Sequence, residues 1–266
     1  MLGGKHVLIP ARKSGQAKSE GALAKGPFLD DVRAVFFDAV GTLIFPAEPV
    51  AETYRAIARR HGSDIDKALI DHRFRETFRA EEERDEQAGW RTDEGRERQR
   101  WRHIVSSTLR EVTDREACLA ELWNHFGLPA AWAVNPDAGP LIDELARGGI
   151  AIGIASNFDA RLLGIVRGLP ALAPTAGLCV VSALVGWRKP APEFFAELSR
   201  RANCATAEVI LVGDDLRNDY TAACASGLKA ILYRAADNST INDRITSLSD
   251  LLTPPAPLPA ARDQSA

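Results

Sequence analysis

Carboxylate and hydroxyl side chains follow three apolar runs of this sequence, each at the point where the run ends. Asp38 follows residues 33–37, Ser156 follows residues 150–155, and Asp214 with Asp215 follows residues 209–213. In an open parallel sheet, ligands bind at the carboxyl edge of the strands, so these side chains can converge on one crevice. A lone carboxylate after a strand more often caps a helix, but capping alone does not explain three such positions. The spacing therefore predicts one site at one edge of a sheet.

The elements that must position these residues alternate between strand-like and helical patterns. Strands are predicted over residues 33–38, 150–155, 177–181, 209–212 and 228–233. Helices are predicted between them, over residues 137–147, 161–168, 192–201 and 219–226. Such alternation is typical of βαβ units on a parallel sheet. We therefore expect an α/β fold built on a doubly wound parallel sheet.

Residues 47–135 differ because they carry helical patterns without a convincing strand run. They are expected to form a helical domain inserted after the first strand, and the core domain then comprises residues 31–46 and 136–252. Arg and acidic residues alternate over residues 73–102, which predicts a solvated, ion-paired helix surface rather than a nucleic-acid patch. The tryptophans of the insertion are expected in its core; they are Trp90, Trp101, Trp123 and Trp132.

The two ends of the chain differ from both predicted domains. Residues 1–30 mix Gly, Lys, Ala and Ser without periodicity and are predicted to form a disordered N-terminal arm. Residues 253–266 are rich in Pro and Ala and are predicted to form a disordered tail. We therefore place the functional residues between these two ends.

Four short motifs occur in order along the chain, each after a predicted strand or in a loop beside one. They are Asp38-Ala-Val-Gly-Thr-Leu43, Ser156-Asn157, Lys189-Pro190 and Gly213-Asp214-Asp215-Leu-Arg-Asn-Asp219. Together they resemble the ordered motifs of the haloacid dehalogenase-like (HAD) hydrolase superfamily over about residues 32–251. Within it the chain resembles the helical-cap subgroup, and the branch of unassigned substrate with an Asp-x-Val-Gly-Thr first motif. The resemblance implies a Rossmann-like core with an inserted helical cap.

The resemblance also implies a role for each motif residue. Asp38 is expected to be a nucleophile that forms a covalent aspartyl intermediate with a small phosphorylated substrate. Ser156 and the backbone N–H of Asn157 would donate hydrogen bonds to a phosphoryl oxygen. Lys189 would place positive charge beside the phosphoryl group and the nucleophile.

Mg²⁺ is the cofactor that the resemblance implies, and hard oxygen ligands suit this ion. Its ligands are expected to be the carboxylates of Asp38 and Asp214 and the carbonyl oxygen of Val40. Asp219 would lie next to the ion or hold Lys189, and Asp215 could substitute for it as a ligand. The sequence leaves open which of Asp215 and Asp219 is nearer the metal.

Position 40 departs from the phosphatases of this superfamily, which carry a second Asp two residues after the nucleophile. That Asp protonates the leaving group and then activates water, and Val40 can do neither. General acid–base catalysis is typically worth about 10²–10⁴-fold, so phosphatase activity is expected to be weak unless the leaving group is good or another residue supplies the proton.

Two alternatives therefore stay open at the level of sequence. One is a catalytically weak or degenerate member that binds a phosphorylated ligand or a protein. The other is a hydrolase of the 2-haloacid dehalogenase type, whose halide leaves without a proton. The acidic fourth motif speaks against the dehalogenase, because carboxylates around a carboxylate nucleophile need a cation to offset their repulsion. Phosphonoacetaldehyde hydrolases need a cap lysine, and the surroundings of Lys67 do not resemble that motif.

The overall composition limits the partners that can be expected. The chain has 266 residues with 33 Lys and Arg against 36 Asp and Glu, so no global positive field exists to attract nucleic acid. Its longest strongly apolar runs are only strand-length, so no membrane span is expected. Four widely spaced cysteines indicate free thiols in a reducing compartment. We expect a cytoplasmic Mg²⁺-dependent hydrolase of a small molecule, and the oligomeric state stays open.

Overall fold

The structure is a computed structural model that describes residues 26, 28–234 and 241–252. The predicted tail, residues 253–266, and the predicted arm up to residue 25 lie outside these residues. Leu29, near the end of that arm, is buried in the main core. The packed part of the chain therefore begins before residue 31.

The core of the protein is a six-stranded sheet in which each pair of neighbouring strands is parallel. Its strand order is β5-β4-β1-β6-β7-β8. The predicted α/β architecture with a doubly wound parallel sheet is confirmed. The strands of the described chain, including a separate two-stranded ribbon, are β1 Ala34–Phe37, β2 Ile44–Pro46, β3 Trp132–Val134, β4 Ala151–Ser156, β5 Cys179–Val181, β6 Val209–Gly213, β7 Lys229–Tyr233 and β8 Arg244–Ile245.

The central strand β1 shows why the sequence pattern identified this sheet. Each residue of β1 is buried, and alternate side chains point into two separate cores, with Phe37 in one and Phe36 in the other. A parallel sheet with helices on both faces gives a continuous apolar run of this kind. Phe37 pairs in register with Ile154 of β4 and Val212 of β6. Asp38 lies one position beyond this level, and Ser156 and Asp214 lie two positions beyond it, so these residues are close together at one edge.

Helices connect the strands and form the inserted segment. The α-helices of the described chain are α1 Val50–Arg60, α2 Lys67–Gln87, α3 Glu94–Thr108, α4 Arg115–His125, α5 Ala138–Arg147, α6 Arg161–Gly168, α7 Ser182–Val185, α8 Pro192–Ala202 and α9 Ala222–Ala225. A π-helical turn, Leu216–Thr221, precedes α9 over part of the segment predicted as one helix. Within the described residues, no helix combines the length and the apolar character needed to cross a membrane.

The expectation that residues 47–135 contain no strand is wrong at one end. Trp132–Val134 forms β3, which pairs antiparallel with Ile44–Pro46. These strands are only three residues long and each has partly exposed positions, so neither gives a recognisable apolar run. The ribbon carries the chain out of the sheet into the helical segment and back.

The helices α1 to α4 enclose a core of their own, separate from the two cores that flank the sheet. Its buried members include Tyr54, Ile57, Ile70, Leu119 and Leu122. We call these four helices the cap. Since the cap has its own apolar core, its remaining faces are free to form contacts across the edge of the sheet.

A buried group of charges joins the cap to the core domain, and we call it the buried ion cluster: Asp85, Glu97, Arg100 and Arg188. Arg188 lies in the loop between α7 and α8, and it pairs with Glu97 of α3 and lies 3.5 Å from Asp85 of α2. Arg100 also pairs with Asp85. The prediction of a solvated surface over residues 73–102 is therefore wrong for Asp85, Glu97 and Arg100, which are buried. The pairing was expected, but the loop carrying Arg188 covers this face and excludes water.

Backbone hydrogen bonds reinforce the same contact. The N–H of Arg188 donates to the carbonyl of Trp90 at 2.9 Å, and the N–H of Thr92 donates to the carbonyl of Gly186 at 3.2 Å. The cap is thus attached directly to the loop that carries the Lys189-Pro190 motif.

Substitution of Arg188 by Met is expected to lower the free energy of unfolding by about 3–5 kcal/mol, because removing one partner of a buried ion pair leaves the other uncompensated. Urea denaturation followed by circular dichroism measures the change. Arg200→Met is the control, since its side chain is 70% exposed, and exposed pairs contribute at most about 1 kcal/mol. Equal losses in both variants would contradict a stabilising role for the cluster.

Candidate active site

The three strand-end motifs meet at the carboxyl edge of the sheet. Asp38 follows β1, Ser156 is the last residue of β4, and Asp214 follows β6. These strands are neighbours, with β1 between the other two. The topology therefore brings these side chains to one place, although more than a hundred residues separate the first motif from the second.

Lys189 reaches this edge from the loop between α7 and α8. Its Nζ donates to Oδ1 of Asp38 at 2.7 Å, to Oδ1 of Asp219 at 2.5 Å and to the carbonyl of Ala155 at 2.8 Å. An ammonium has three hydrogens, so these acceptors satisfy it completely. Its side chain is only 2% exposed. Lys189 therefore holds the carboxylate of Asp38 in a fixed orientation.

Three carboxylates, those of Asp38, Asp214 and Asp219, cluster at this edge, and Asp38 and Asp219 contact the ammonium directly. Each offers an oxygen, and these oxygens all lie within 4.8 Å of one another. Hard oxygen donors at this spacing suit a divalent cation such as Mg²⁺. Three carboxylates against one ammonium also leave excess negative charge, which such a cation would offset. The residues therefore fit the metal that the sequence predicts.

The protonation behaviour of the cluster reflects the same crowding. Burial raises the pKa of Asp38 to about 7; the ammonium of Lys189 opposes this shift, and the carboxylates of Asp219 and Asp214 add to it. Burial disfavours the charged form of Lys189, but the neighbouring carboxylates outweigh burial and raise its pKa. Burial and the charge of Asp219 also raise the pKa of Asp214. The site therefore has more negative than positive charge, and a bound cation would restore the balance.

The backbone conformation and close packing at Gly41 explain why the first motif has a glycine at this position. Its φ of +102° is one that residues with a side chain rarely adopt, and a Cβ there would lie 2.3 Å from Oδ2 of Asp214. Thr42 follows it and donates from Oγ1 to Oδ1 of Asp214 at 3.3 Å. The turn after β1 therefore packs directly against the fourth motif.

Asp215 and Asp219 have different surroundings, although the sequence could not separate them. Oδ1 of Asp215 accepts from the N–H groups of Arg217 and Asn218, both at 2.8 Å, so this carboxylate caps the following helical turn. Asp219 is buried, with one oxygen on Lys189 and the other accepting from the N–H of Asp215 at 3.1 Å. The cluster of three carboxylates contains Asp219, and Asp215 lies outside it.

The side chain of Asn157, in the second motif, makes hydrogen bonds that the sequence did not predict. Nδ2 of Asn157 donates to the carbonyl of Lys189 at 2.9 Å, and Oδ1 accepts from the N–H of Lys189 at 2.8 Å. The side chain of Asn157 therefore ties the Lys189 loop to the end of β4. Ser156 is 2% exposed beside it and does not cap α6, whose first residue is Arg161. No sequence signal distinguished the Asn157 side chain from its backbone N–H.

Beside Val40 and Asn157 lies an apolar cavity of about 310 Å³ between the cap and the core domain. The side chain of Val40 is at one end of it and is partly exposed. Trp101, Trp123 and Trp132 line its wall. The expectation that they belong to the core of the insertion is wrong, because none of them is a member of the cap's apolar core and Trp132 is buried in the main core instead. The i, i+4 spacing of Phe74 and Phe78 on α2 is a sequence signal that could have marked this face.

A model of the haloacid dehalogenase-like hydrolases matches residues 32–227, and the chain belongs to that family. The human haloacid dehalogenase-like hydrolase domain-containing protein 3 is 31% identical over 207 residues, which are 76% of this chain and 81% of the relative. The ribulose-1,5-bisphosphate 5-phosphatase of Halopiger xanaduensis is 30% identical over 104 residues, covering 39% of this chain and 44% of that protein. The family resemblance stated from the motifs is confirmed, and relatives of this chain include a phosphatase.

Solved structures show the same fold. The defluorinating L-2-haloacid dehalogenase Rha0230 has a TM-score of 0.68 and 21% identity, over 86% of this chain and 97% of that one. The magnesium-bound HAD hydrolase YfnB from Bacillus subtilis has a TM-score of 0.64 and 18% identity, over 83% and 96%. One fold thus supports both a dehalogenase and a magnesium-binding hydrolase, so the side chains of the site, and not the fold, define the chemistry.

Proposed function

We propose that this protein is a Mg²⁺-dependent hydrolase of a small phosphorylated compound, and that Asp38 forms a covalent aspartyl intermediate. The observation that carries the proposal is the contact of Lys189 with Asp38, with Asp214 and Asp219 in the same cluster. A carboxylate that is oriented by an ammonium and lies beside further carboxylates has the arrangement needed to attack an anionic phosphorus next to a metal ion.

The reaction would take place in two displacements. A carboxylate oxygen of Asp38 attacks phosphorus, an aspartyl phosphate forms, and the leaving-group oxygen departs with the bonding electron pair. Water then attacks the aspartyl phosphate, which releases inorganic phosphate and restores the carboxylate. Ser156 and the N–H of Asn157 would donate hydrogen bonds to a phosphoryl oxygen, and Lys189 would balance its charge. Val40 has no proton to transfer, so the leaving group must depart as an anion or take a proton from elsewhere.

Asp38, Asp214 and the carbonyl of Val40 would hold the metal, with Asp219 beside it. When bound, Mg²⁺ would neutralise charge on the phosphoryl group and on the carboxylates. The donor chemistry supports this assignment, since the three carboxylates lie close together with one ammonium among them. A magnesium-bound protein of the same fold is consistent with it.

We expect Mg²⁺ to raise the melting temperature of the wild-type protein, because a ligand that binds only the native state stabilises it. The same ion should be required for phosphate release from phenyl phosphate, and EDTA should abolish that release. Asp214→Asn should lose both the thermal shift and the activity, because it removes one carboxylate of the cluster.

Asp215→Asn is the matched control, since Asp215 caps the next helical turn and lies outside the cluster. An amide oxygen can still accept those backbone hydrogen bonds, so this variant should keep most of the Mg²⁺ response. Equal thermal shifts in wild type and Asp214→Asn would remove the metal assignment. Phosphate release that persists in EDTA would do the same.

A second candidate function is favoured by Val40, which stands where the phosphatases of this superfamily have their acid. The chain would then bind a phosphorylated ligand without efficient turnover. Phosphate release from phenyl phosphate distinguishes the two candidates, because a binding protein would show the Mg²⁺ response and no release. We also propose a cytoplasmic location with a small-molecule substrate, for which the widely spaced cysteines and the balanced charge are the support.

A further inference from the structure

The apolar cavity beside the active site begins at the residues that would contact the leaving group of the substrate. Val40 and Asn157 line its end at the sheet edge, and both belong to the motifs described above. The cap supplies the opposite wall with Phe74, Phe78 and Trp101. A group attached to a phosphoryl moiety at Asp38 would therefore extend into this cavity.

The wall of the cavity is built of packed aromatic rings. Tyr54 and Phe74 form an edge-to-face pair with centroids 5.5 Å apart, and Phe74 stacks on Phe78 at 5.9 Å. Trp101 lies 6.5 Å from both phenylalanine rings. Aromatic pairs at these distances are favourable and hold one another in place. The surface that faces a ligand is therefore preformed and apolar.

The guanidinium on the wall, that of Arg161, is already engaged. Its Nε and Nη2 donate to Asp159 at 2.8 and 2.7 Å, and its Nη1 donates to the carbonyl of Trp123 at 2.5 Å. Its Cζ also lies 3.5 Å from the centre of the Trp123 ring. Asp159 thus neutralises this charge, and Arg161 does not serve as an anchor for a substrate anion.

These features select against most common phosphate esters. A sugar hydroxyl that enters the cavity would lose its hydrogen bonds to water, and the aromatic wall would not replace them. A second phosphate or a carboxylate would meet a guanidinium that is already paired. An aromatic group loses nothing comparable, and an apolar cavity of about 150 Å³ already accommodates benzene. A cavity of about 310 Å³ therefore has room for a bicyclic ring system.

We propose that the cavity binds the leaving group of the substrate and that this group is aromatic, so the natural substrate is an aryl phosphate monoester with a fused or substituted ring. The inference rests on the proposed phosphatase function. It also explains the valine at position 40. A phenolate leaves as a stabilised anion, so the site needs an apolar contact at this position more than it needs a proton donor.

The test compares ligands that differ only in ring size. Benzylphosphonate and 2-naphthylmethylphosphonate cannot be hydrolysed, and their binding is measured by calorimetry with Mg²⁺ present. Burial of four further ring carbons should tighten binding at least about tenfold. The kcat/KM values for phenyl phosphate and 2-naphthyl phosphate, whose leaving groups have similar acidity, should show the same preference.

Variants locate this preference in the cavity. Trp101→Gln places an amide on the wall and should reduce the preference for naphthyl compounds to less than about threefold, whereas Trp101→Phe should keep it. Leu69→Gln is the matched control, because Leu69 lies on α2 with an exposed side chain and does not line the cavity. This control should retain the full preference. If Trp101→Gln does not fold, Phe78→Gln on the same wall takes its place, and equal binding of the two phosphonates by wild type alone already overturns the preference.

The outcomes separate this inference from the proposed function. Hydrolysis of both aryl phosphates without a naphthyl preference would overturn the cavity assignment and leave the phosphatase in place. A naphthyl preference in phosphonate binding without release of phosphate from either ester would overturn the phosphatase and leave the cavity assignment in place. Equal binding of the two phosphonates by wild type and all variants would also overturn the assignment.

Discussion

Asp38→Asn is expected to lower phosphate release from phenyl phosphate by at least about 10⁴-fold, because an amide cannot act as the nucleophile of the first displacement. The substitution keeps the shape of the side chain, and Lys189 keeps its contacts with Asp219 and the Ala155 carbonyl. The loss should therefore appear without unfolding, which circular dichroism checks. Acid-quenched wild type should also carry a phosphoryl group on the peptide that contains Asp38, as measured by mass spectrometry.

Asp143→Asn provides the control for this substitution, since Asp143 is an exposed residue of α5 outside the site. It should keep the activity of the wild type and the phosphorylated Asp38 peptide. Substantial release of phosphate by Asp38→Asn, or a phosphoryl group on another peptide of the wild type, would place the nucleophile elsewhere. Either result would leave the contact of Lys189 with Asp38 as a structural ion pair.

Sequence alone predicted the sheet and the identity of its edge because those features depend on local pattern. The run 33–37 is apolar at every position except Arg33, and a strand buried on both faces requires such a run. The carboxylate that ends it then marks the carboxyl edge. The same pattern occurs at β4 and β6, so the three strand ends alone predict that the three motifs meet at one edge.

The parts that escaped prediction depend on contacts between distant segments. Arg188 pairs with Glu97 across a separation of 91 residues, and no local pattern shows which charges of the insertion will be covered. The side chain of Asn157 joins a loop 32 residues away for the same reason. The cavity is a third example. A tryptophan on a helix face gives the same sequence pattern whether it packs against another side chain or lines a cavity.

Val40→Asp is expected to raise kcat/KM for an alkyl phosphate such as ethyl phosphate by about 10²-fold, at the low end of the general-acid range. An alkoxide leaves poorly without a proton, and the introduced carboxyl group would supply one. The gain falls at the low end because the surrounding shell was not built to orient a carboxyl group at this position. For nitrophenyl phosphate, whose leaving group departs as a stabilised anion, the change should be several-fold at most.

The position of Val40 in the structure adds two expectations. The residue is 38% exposed, so a carboxyl group there is not fully desolvated and can exchange protons with water. It also lines the apolar cavity, so the new carboxyl group should weaken the binding of naphthyl compounds while it accelerates alkyl esters. The electrostatic cost is a further carboxylate beside Asp38 and Asp214, and Mg²⁺ must offset it.

Val40→Asn separates the proton from the change in shape and polarity, because it matches the aspartate in size and cannot act as an acid. Both variants and the wild type should be assayed on ethyl phosphate and nitrophenyl phosphate at saturating Mg²⁺. Only the aspartate variant should gain on the alkyl ester. If it folds and binds Mg²⁺ but shows no selective gain, or if Val40→Asn gains equally, then the missing proton donor does not limit this site, and ligand binding without efficient turnover becomes the better account of position 40.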